Sequence, residues 1–264
     1  MSTRPAAVAG RFYPGDPATL TEMIDGMLAA VDVPPDDQPA SAYVSPHAGY
    51  RFSGPIAAHV YARLRRHADG VERVVLVGPS HFVRLEGAAV PTVDNWATPL
   101  GEVAIDATVR AELLAGGHAV ADDTPHQREH SLEVQLPFLI RALGTVPVTP
   151  IGVGISPVDK TVETIEAAVT AGGSGTVLVC STDLSHYHDQ ATAQQLDRRT
   201  AQAVMDLEPG RIGVRDACGV FALRGTVAWA RDRKLAPELL DLRTSADTYG
   251  PPDRVVGYPA FAFH

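Results

Sequence analysis

Only two of the 264 residues are cysteine, and Cys180 and Cys218 fall in different predicted elements with no C-x-x-C spacing. That arithmetic excludes a disulfide framework and a zinc site made of cysteine alone. Cys180 closes the apolar run Thr176 to Cys180 and reads as a small buried side chain. Cys218 precedes Gly219 near a helix start, where a lowered thiol pKa is conceivable and burial is the better reading. Long apolar runs are missing as well. No stretch nears the roughly 18 residues of a membrane span, and no charged segment followed by an apolar one opens the chain. We therefore expect a cytoplasmic protein with no membrane partner. Positive charge is also scarce, with 22 Lys and Arg against 31 Asp and Glu for a net charge of −9. The densest basic cluster, Arg63, Arg65 and Arg66, reads as the solvated end of a helix. With no basic stripe, nucleic acid is not an expected partner.

What is present is an ordinary globular mixture, 45% hydrophobic and 20% charged, in a length that one large core can still support. A single domain over residues 1–264 is the expectation. Asp16-Pro17 opens a run with apolar residues at Leu20, Ile24, Met27, Leu28 and Val31, a helical period with its cap and its N1 proline in place, and Pro34-Pro35 stops it. Pro34 to Gln38 reads as a mobile loop. A second helix is predicted from Gly54-Pro55 through Leu64, and a third from Ser156-Pro157 through Val169. Between them lie β-branched runs: Ala42 to Val44, Val74 to Val77, Val146 to Val153, Thr176 to Cys180 and Val255 to Phe263. Strands alternating with helices imply βαβ units, hence an α/β fold with a three-layer αβα sandwich around a largely parallel or mixed central sheet.

In such a sheet, ligands bind where the carboxyl ends of the strands converge. Three predicted strands are followed there by a polar turn ending in histidine: Ser45-Pro46-His47, Gly78-Pro79-Ser80-His81, and Ser181-Thr182-Asp183-Leu184-Ser185-His186. Imidazole is the commonest protein donor for iron, copper and zinc. A third donor should come from another strand end, and Asp247, before the last strand, is the best-placed carboxylate. The same Ser245-Ala246-Asp247 also reads as turn chemistry with a capping side chain. Two imidazoles and a carboxylate form the facial triad of non-haem Fe(II), which makes Fe(II) the expected cofactor, with copper and zinc accepted by similar donors. A rival metal motif is His126-Gln127-Arg128-Glu129-His130, the H-x-x-E-H pattern of inverted zinc peptidases, which would make the chain a zinc hydrolase. Its helix would be cut short by Pro137. The glycine-rich stretches lack the spacing of a phosphate loop, and no G-x-S-x-G elbow presents a serine nucleophile.

Taken together, Ser45-Pro46-His47-Ala48-Gly49-Tyr50, Gly78-Pro79-Ser80-His81, Glu129-His130-Ser131-Leu132-Glu133, Ser181 to His186 and Cys218-Gly219 resemble the Memo family in order and spacing. The resemblance spans nearly the whole chain. Bacterial members are called AmmeMemoRadiSam system protein B, which implies a functional link to a radical SAM protein. The family is similar in fold to class III extradiol dioxygenases, in which two histidines and a carboxylate hold Fe(II) and another histidine is the acid/base. Carried over, the resemblance implies that His47 and His81 are metal ligands and that His186 moves a proton, oriented by Asp183 or His130. Eukaryotic Memo proteins have cysteine as third ligand, whereas Asp247 is the residue this chain offers. Two functions follow as expectations: an Fe(II) oxidoreductase, or a non-catalytic module in which Tyr50, Arg51 and Ser185 line a pocket for a small molecule or peptide.

Overall fold

The computed structural model describes residues 2–264. In chain order, its strands are β1 (Thr3–Arg4), β2 (Ala42–Ser45), β3 (Arg73–Pro79), β4 (Ala88–Val90), β5 (Asn95–Thr98), β6 (Gly101–Ala104), β7 (Val120–Ala121), β8 (Val148–Val153), β9 (Thr176–Ser181), β10 (His186–His188), β11 (Pro237–Thr244) and β12 (Val255–Phe263). Its α-helices are α1 (Pro17–Ala29), α2 (Tyr50–Arg66), α3 (Ala107–Ala115), α4 (Gln135–Leu143), α5 (Val158–Gly172), α6 (Gln190–Met205) and α7 (Val220–Asp232). Among the described residues no helix is long and apolar enough to cross a membrane.

Four strands, β2, β9, β3 and β8, run parallel side by side, and antiparallel strands flank them on both edges. Successive side chains on these strands point to opposite faces. Val74 and Leu76 therefore enter one core with α1, α2 and α4, while Val75 and Val77 enter a second core with α3, α5, α6 and α7. The same alternation runs along β9 and β12. This is the three-layer αβα sandwich, with a mixed rather than wholly parallel sheet. A small separate sheet, β1-β5-β6, lies outside it.

Local signals explain where the elements begin. Asp16 caps α1 by accepting the Thr19 N–H at 2.9 Å, with Pro17 at the first helical position. The second helix starts at Tyr50 rather than at Gly54-Pro55, so Pro55 stands inside it. Tertiary contacts support the extra turn: the Tyr50 N–H donates to Phe12 O at 2.8 Å, and the ring is buried. The loop expected to be mobile is tied down. Asp37, its side chain 3% exposed, accepts Arg63 Nε at 3.0 Å and His67 Nε2 at 3.0 Å. Arg63 is correspondingly buried and also pairs with Glu238 at 3.2 Å, so it is no solvated charge.

The geometry of β12 prepares the site. It pairs with β2 only through Phe261 to Phe263, because the four residues of β2 stop at Ser45. The edge beyond is taken by β10, whose His186 lies opposite Val256. His186 is thereby delivered just past the end of the strand that leads to His47.

Candidate metal centre

Each of three strand-end loops supplies a side chain, and each is positioned by hydrogen bonds that can be traced atom by atom. His47, 1% exposed, follows β2; its N–H donates to Asp183 Oδ1 at 2.8 Å and its Nδ1 lies 2.9 Å from Ser181 Oγ. Ser181 spends its only hydroxyl proton on Ser131 O at 2.7 Å and accepts from Gln135 Nε2 at 2.8 Å. The proton between Ser181 and His47 therefore sits on Nδ1, which leaves Nε2 of His47 with a bare lone pair. Burial, and then the neighbouring His81, push the His47 pKa well below its ordinary value, so the ring is neutral.

His81, beyond β3, repeats this logic with a carboxylate. Glu129 accepts its N–H and, at 2.9 Å, its Nδ1–H, and also takes the N–H groups of His130 and Ser131 at 2.9 Å each. Burial opposes the ionisation of Glu129, but the hydrogen bonds it accepts from His81 and Ser131 outweigh it and hold its pKa near 2. Nε2 of His81 is again free. His186, after β9, donates Nδ1–H to Leu184 O at 2.7 Å, with the same outcome. Cys218, in the turn before α7, places Sγ 3.3 Å from His47 Nε2. The turn approaches the end of β9 closely enough that a Cβ on Gly219 would lie 3.0 Å from Ser181 O, so any larger residue there would push the two apart. Burial and the nearby Asp183 raise the Cys218 thiol pKa, and burial raises Asp183 to about 6.

His47, His81 and Cys218 each bring a donor atom within 4.8 Å of the others. His81, Glu129 and His130 form an overlapping group by the same measure. His130 lies over the pair, stacked on His81 at 4.8 Å between ring centroids and edge-on to His47 at 5.4 Å, with Phe12 against its other side at 4.6 Å. Burial is the main cause that lowers its pKa to about 4.

The structure does not bring Asp247 to this cluster. It is exposed, closes a capping box with the Thr244 N–H at 2.7 Å and hydroxyl at 2.8 Å, and accepts Gln190 Nε2 at 2.8 Å. Two donors from its own turn and one from Gln190 on α6 consume the carboxylate, so the capping reading of Ser245-Ala246-Asp247 is the one the fold uses. Tyr50 is likewise elsewhere, buried with its hydroxyl on Val134 O at 2.7 Å. Ser185 is buried, its N–H held by Asp197 at 2.9 Å and its carbonyl by the Gly257 N–H at 2.9 Å, so it anchors the loop under His186 rather than facing a ligand. Asp183 holds the His47 N–H, and Leu184 O, not Asp183, orients His186. Arg51 is exposed and stacks over Tyr249 at 4.1 Å.

The H-x-x-E-H segment is not helical. His126 is 1% exposed, edge-on to Trp96 at 5.5 Å, with Nε2 3.2 Å from Ala89 O, and does not join His130. Arg4 holds the segment by its backbone, donating to His126 O and Glu129 O at 2.7 Å each and pairing with buried Glu133 at 2.6 Å. Glu133 in turn takes the Ala7 and Val8 N–H groups and the Tyr13 hydroxyl, binding the N-terminal segment to the wall of the site. Sequence reasoning missed Cys218, Ser181, Gln135 and the pairing of Glu129 with His81. The available signals were Cys218-Gly219 at a helix start and Ser181 at a strand end.

Comparison with known proteins agrees with this architecture. Residues 4–262 match the family described as Memo-like protein. A MEMO1 family protein of Methanopyrus kandleri is 36% identical over 98% of this chain and 98% of its own, and one of Methanococcoides burtonii is 35% identical over 97% and 98%. Among solved structures, an uncharacterized protein of Escherichia coli K12 is similar with a TM-score of 0.50 at 12% identity, covering 84% of this chain and 99% of that one. That likeness concerns the fold alone.

Proposed function

The chain belongs to the Memo family, and on that premise we propose that it is a mononuclear metal-dependent oxidoreductase whose ion is held by Nε2 of His47, Nε2 of His81 and Sγ of Cys218. One observation carries the reading. Each histidine's Nδ1 is engaged, by Ser181 or Glu129, so that the other nitrogen is a lone-pair donor aimed at a shared space with a thiol. Ligating histidines are ordinarily fixed in this way, with the second nitrogen hydrogen-bonded to an oriented oxygen. The donor set fits a borderline or soft ion. With sulfur in place of the carboxylate, the preference moves from Fe(II) toward copper or zinc, although imidazole accepts all three. A bound ion would supply Lewis-acid or one-electron chemistry.

The protein's own part is positional. Ser181, Gln135 and Glu129 hold the donors, and His130, neutral and packed between His81 and Phe12, shields them from water. His186 stands outside the donor group with its Nδ1 on Leu184 O, and we assign it the role of accepting a proton from a ligand. A cytoplasmic location suits a site that needs a reduced thiol. The functional link to a radical SAM protein remains part of this proposal.

Metal analysis of protein purified without oxygen tests the assignment. We expect one equivalent of metal in the wild type and in Asp247→Ala, and none after dialysis in Cys218→Ala. A metal-free wild type would leave the non-catalytic binding module as the better reading, and an Asp247→Ala protein that loses its ion would restore the carboxylate as ligand.

A further inference from the structure

The rim of the site carries an unusual kind of charge. Three aromatic side chains are exposed among the described residues: Phe82 at 52%, Tyr187 at 64% and Tyr249 at 61%. Each has an arginine over its face, Arg128 on Phe82 at 5.3 Å, Arg254 on Tyr187 at 4.4 Å and Arg51 on Tyr249 at 4.1 Å. All three pairs stand at the carboxyl end of the parallel strands. Phe82 follows His81 and reaches the His130 ring at 5.9 Å, and Tyr187 follows His186 and meets its ring at 5.5 Å. Tyr249 packs on Phe52 at 5.7 Å, in the first turn of α2 beyond His47. Tyr187 takes a left-handed φ of 65°, which a bulky residue adopts only when its surroundings hold it there.

The three guanidinium groups have no hydrogen-bond or carboxylate partner within the described chain, whereas surface arginines elsewhere are commonly neutralised, as in Arg141 with Asp25, Arg211 with Asp206 and Arg233 with Glu166. Stacking fixes the plane of a guanidinium and leaves its N–H edges free. Acids at the same end are largely spent: Glu129 on four N–H groups, Asp183 on His47, Asp247 on Thr244 and Gln190. Asp253 beside Arg254 is exposed but makes no ion pair with it. On a chain of net charge −9, unpaired arginine on three separate segments at this one end of the sheet is a local reversal of sign.

We propose that this site takes a small organic anion, a carboxylate or a phosphate ester, drawn in and held at the rim by Arg51, Arg128 and Arg254 while its uncharged end faces His47, His81 and Cys218. The proposal rests on the metal-site reading for what happens beyond the rim, but the rim itself needs no ion. Both anionic groups accept paired N–H donors from a guanidinium edge. Three arginines on separate segments, with no basic stripe running on from them, suit a small ligand rather than the long backbone of a nucleic acid.

The test is a binding titration, by calorimetry or ligand-observed NMR, with benzoate, phenyl phosphate, benzyl alcohol and benzylamine, on wild type and on Cys218→Ala. The anions should bind on the order of 10-fold more tightly than the alcohol, the amine more weakly still, and the preference should shrink as salt rises. The relative affinity of benzoate and phenyl phosphate names the headgroup. The triple variant R51Q/R128Q/R254Q should lose the preference while binding the alcohol as before, and R51K/R128K/R254K should keep most of it. Equal binding of benzoate and benzyl alcohol, no binding of either anion, or an intact preference in the glutamine variant would overturn the proposal. A wild type without metal that still prefers anions defeats only the metal reading; one that holds its ion and ignores anions defeats only the rim.

Discussion

Histidine is used in opposite ways at the two ends of the parallel strands. At the amino end, His67 and His264 turn Nε2 toward carboxylates, Asp37 at 3.0 Å and Glu238 at 3.0 Å, and His59 does the same with Asp241 at 3.3 Å along the outer face of α2. Those rings are members of ion-pair networks with Arg63 and Arg243. At the carboxyl end, the oxygen partners take Nδ1 of His47, His81 and His186 instead. The two uses share residue types and similar distances, yet only the second leaves a lone pair on the outward nitrogen. Which nitrogen is engaged, not how many histidines or acids lie nearby, separates a structural cluster from a ligand set.

The comparison breaks most visibly if single histidines are removed. His47→Ala should abolish tight metal binding, read as metal content after dialysis, while His67→Ala should leave the stoichiometry at the wild-type level and lower only the melting temperature. An emptied His67→Ala protein would mean that the two ends are not distinct. Next in size is Glu129→Gln, which removes the charge that fixes the His81 tautomer but keeps the side chain's shape. Metal affinity should fall by about 10- to 100-fold in a chelator competition. An unchanged affinity would show that the Glu129 hydrogen bond is incidental.

Asp37→Asn is the counterpart at the amino end. Breaking a buried pair by removing one charge costs about 3 to 5 kcal/mol, so denaturant titration should show a loss of that order with no change in bound metal. The smallest effect concerns His126, whose pKa burial, with Arg4 second, depresses from 6.5 to about 4. Because its folded pKa lies below its unfolded one, it favours folding above pH 6.5, and that contribution is lost as pH falls from 6.5 toward 4. The shift corresponds to about 3 kcal/mol at most. His126→Asn should therefore flatten the decline of stability between pH 7 and 5 and leave the bound metal in place. A decline as steep as in the wild type would assign the acid sensitivity to other groups.

The order of layers was legible because its causes are local. Asp16-Pro17 is a complete helix start within two residues, and β-branched runs such as Val74 to Val77 specify strands buried on both sides. The flanking antiparallel strands were less visible. Pro237 to Thr244 carries charged residues and no clean alternation, and it forms a strand because β12 offers it an edge along seven paired positions. The same applies to β10, three residues long, which exists because β2 ends early.

The sequence by itself determined that histidines follow three strands, since a polar turn after an apolar β-branched run is a short-range pattern. Only the tertiary structure decided what completes the set. Asp247 and Cys218 both sit near element starts, and nothing within a few residues of either distinguishes them. Asp247 is consumed by its own turn and by Gln190, whereas Cys218, 171 residues from His47, is carried to within 3.3 Å of its Nε2 by the close approach of the turn before α7 to β9. The tautomers are tertiary for the same reason: the Nδ1 proton of His47 is assigned by Ser181, whose own proton is committed to Ser131. A ligand set is a coincidence of lone pairs in space, and that coincidence is settled by packing between elements rather than by spacing along the chain.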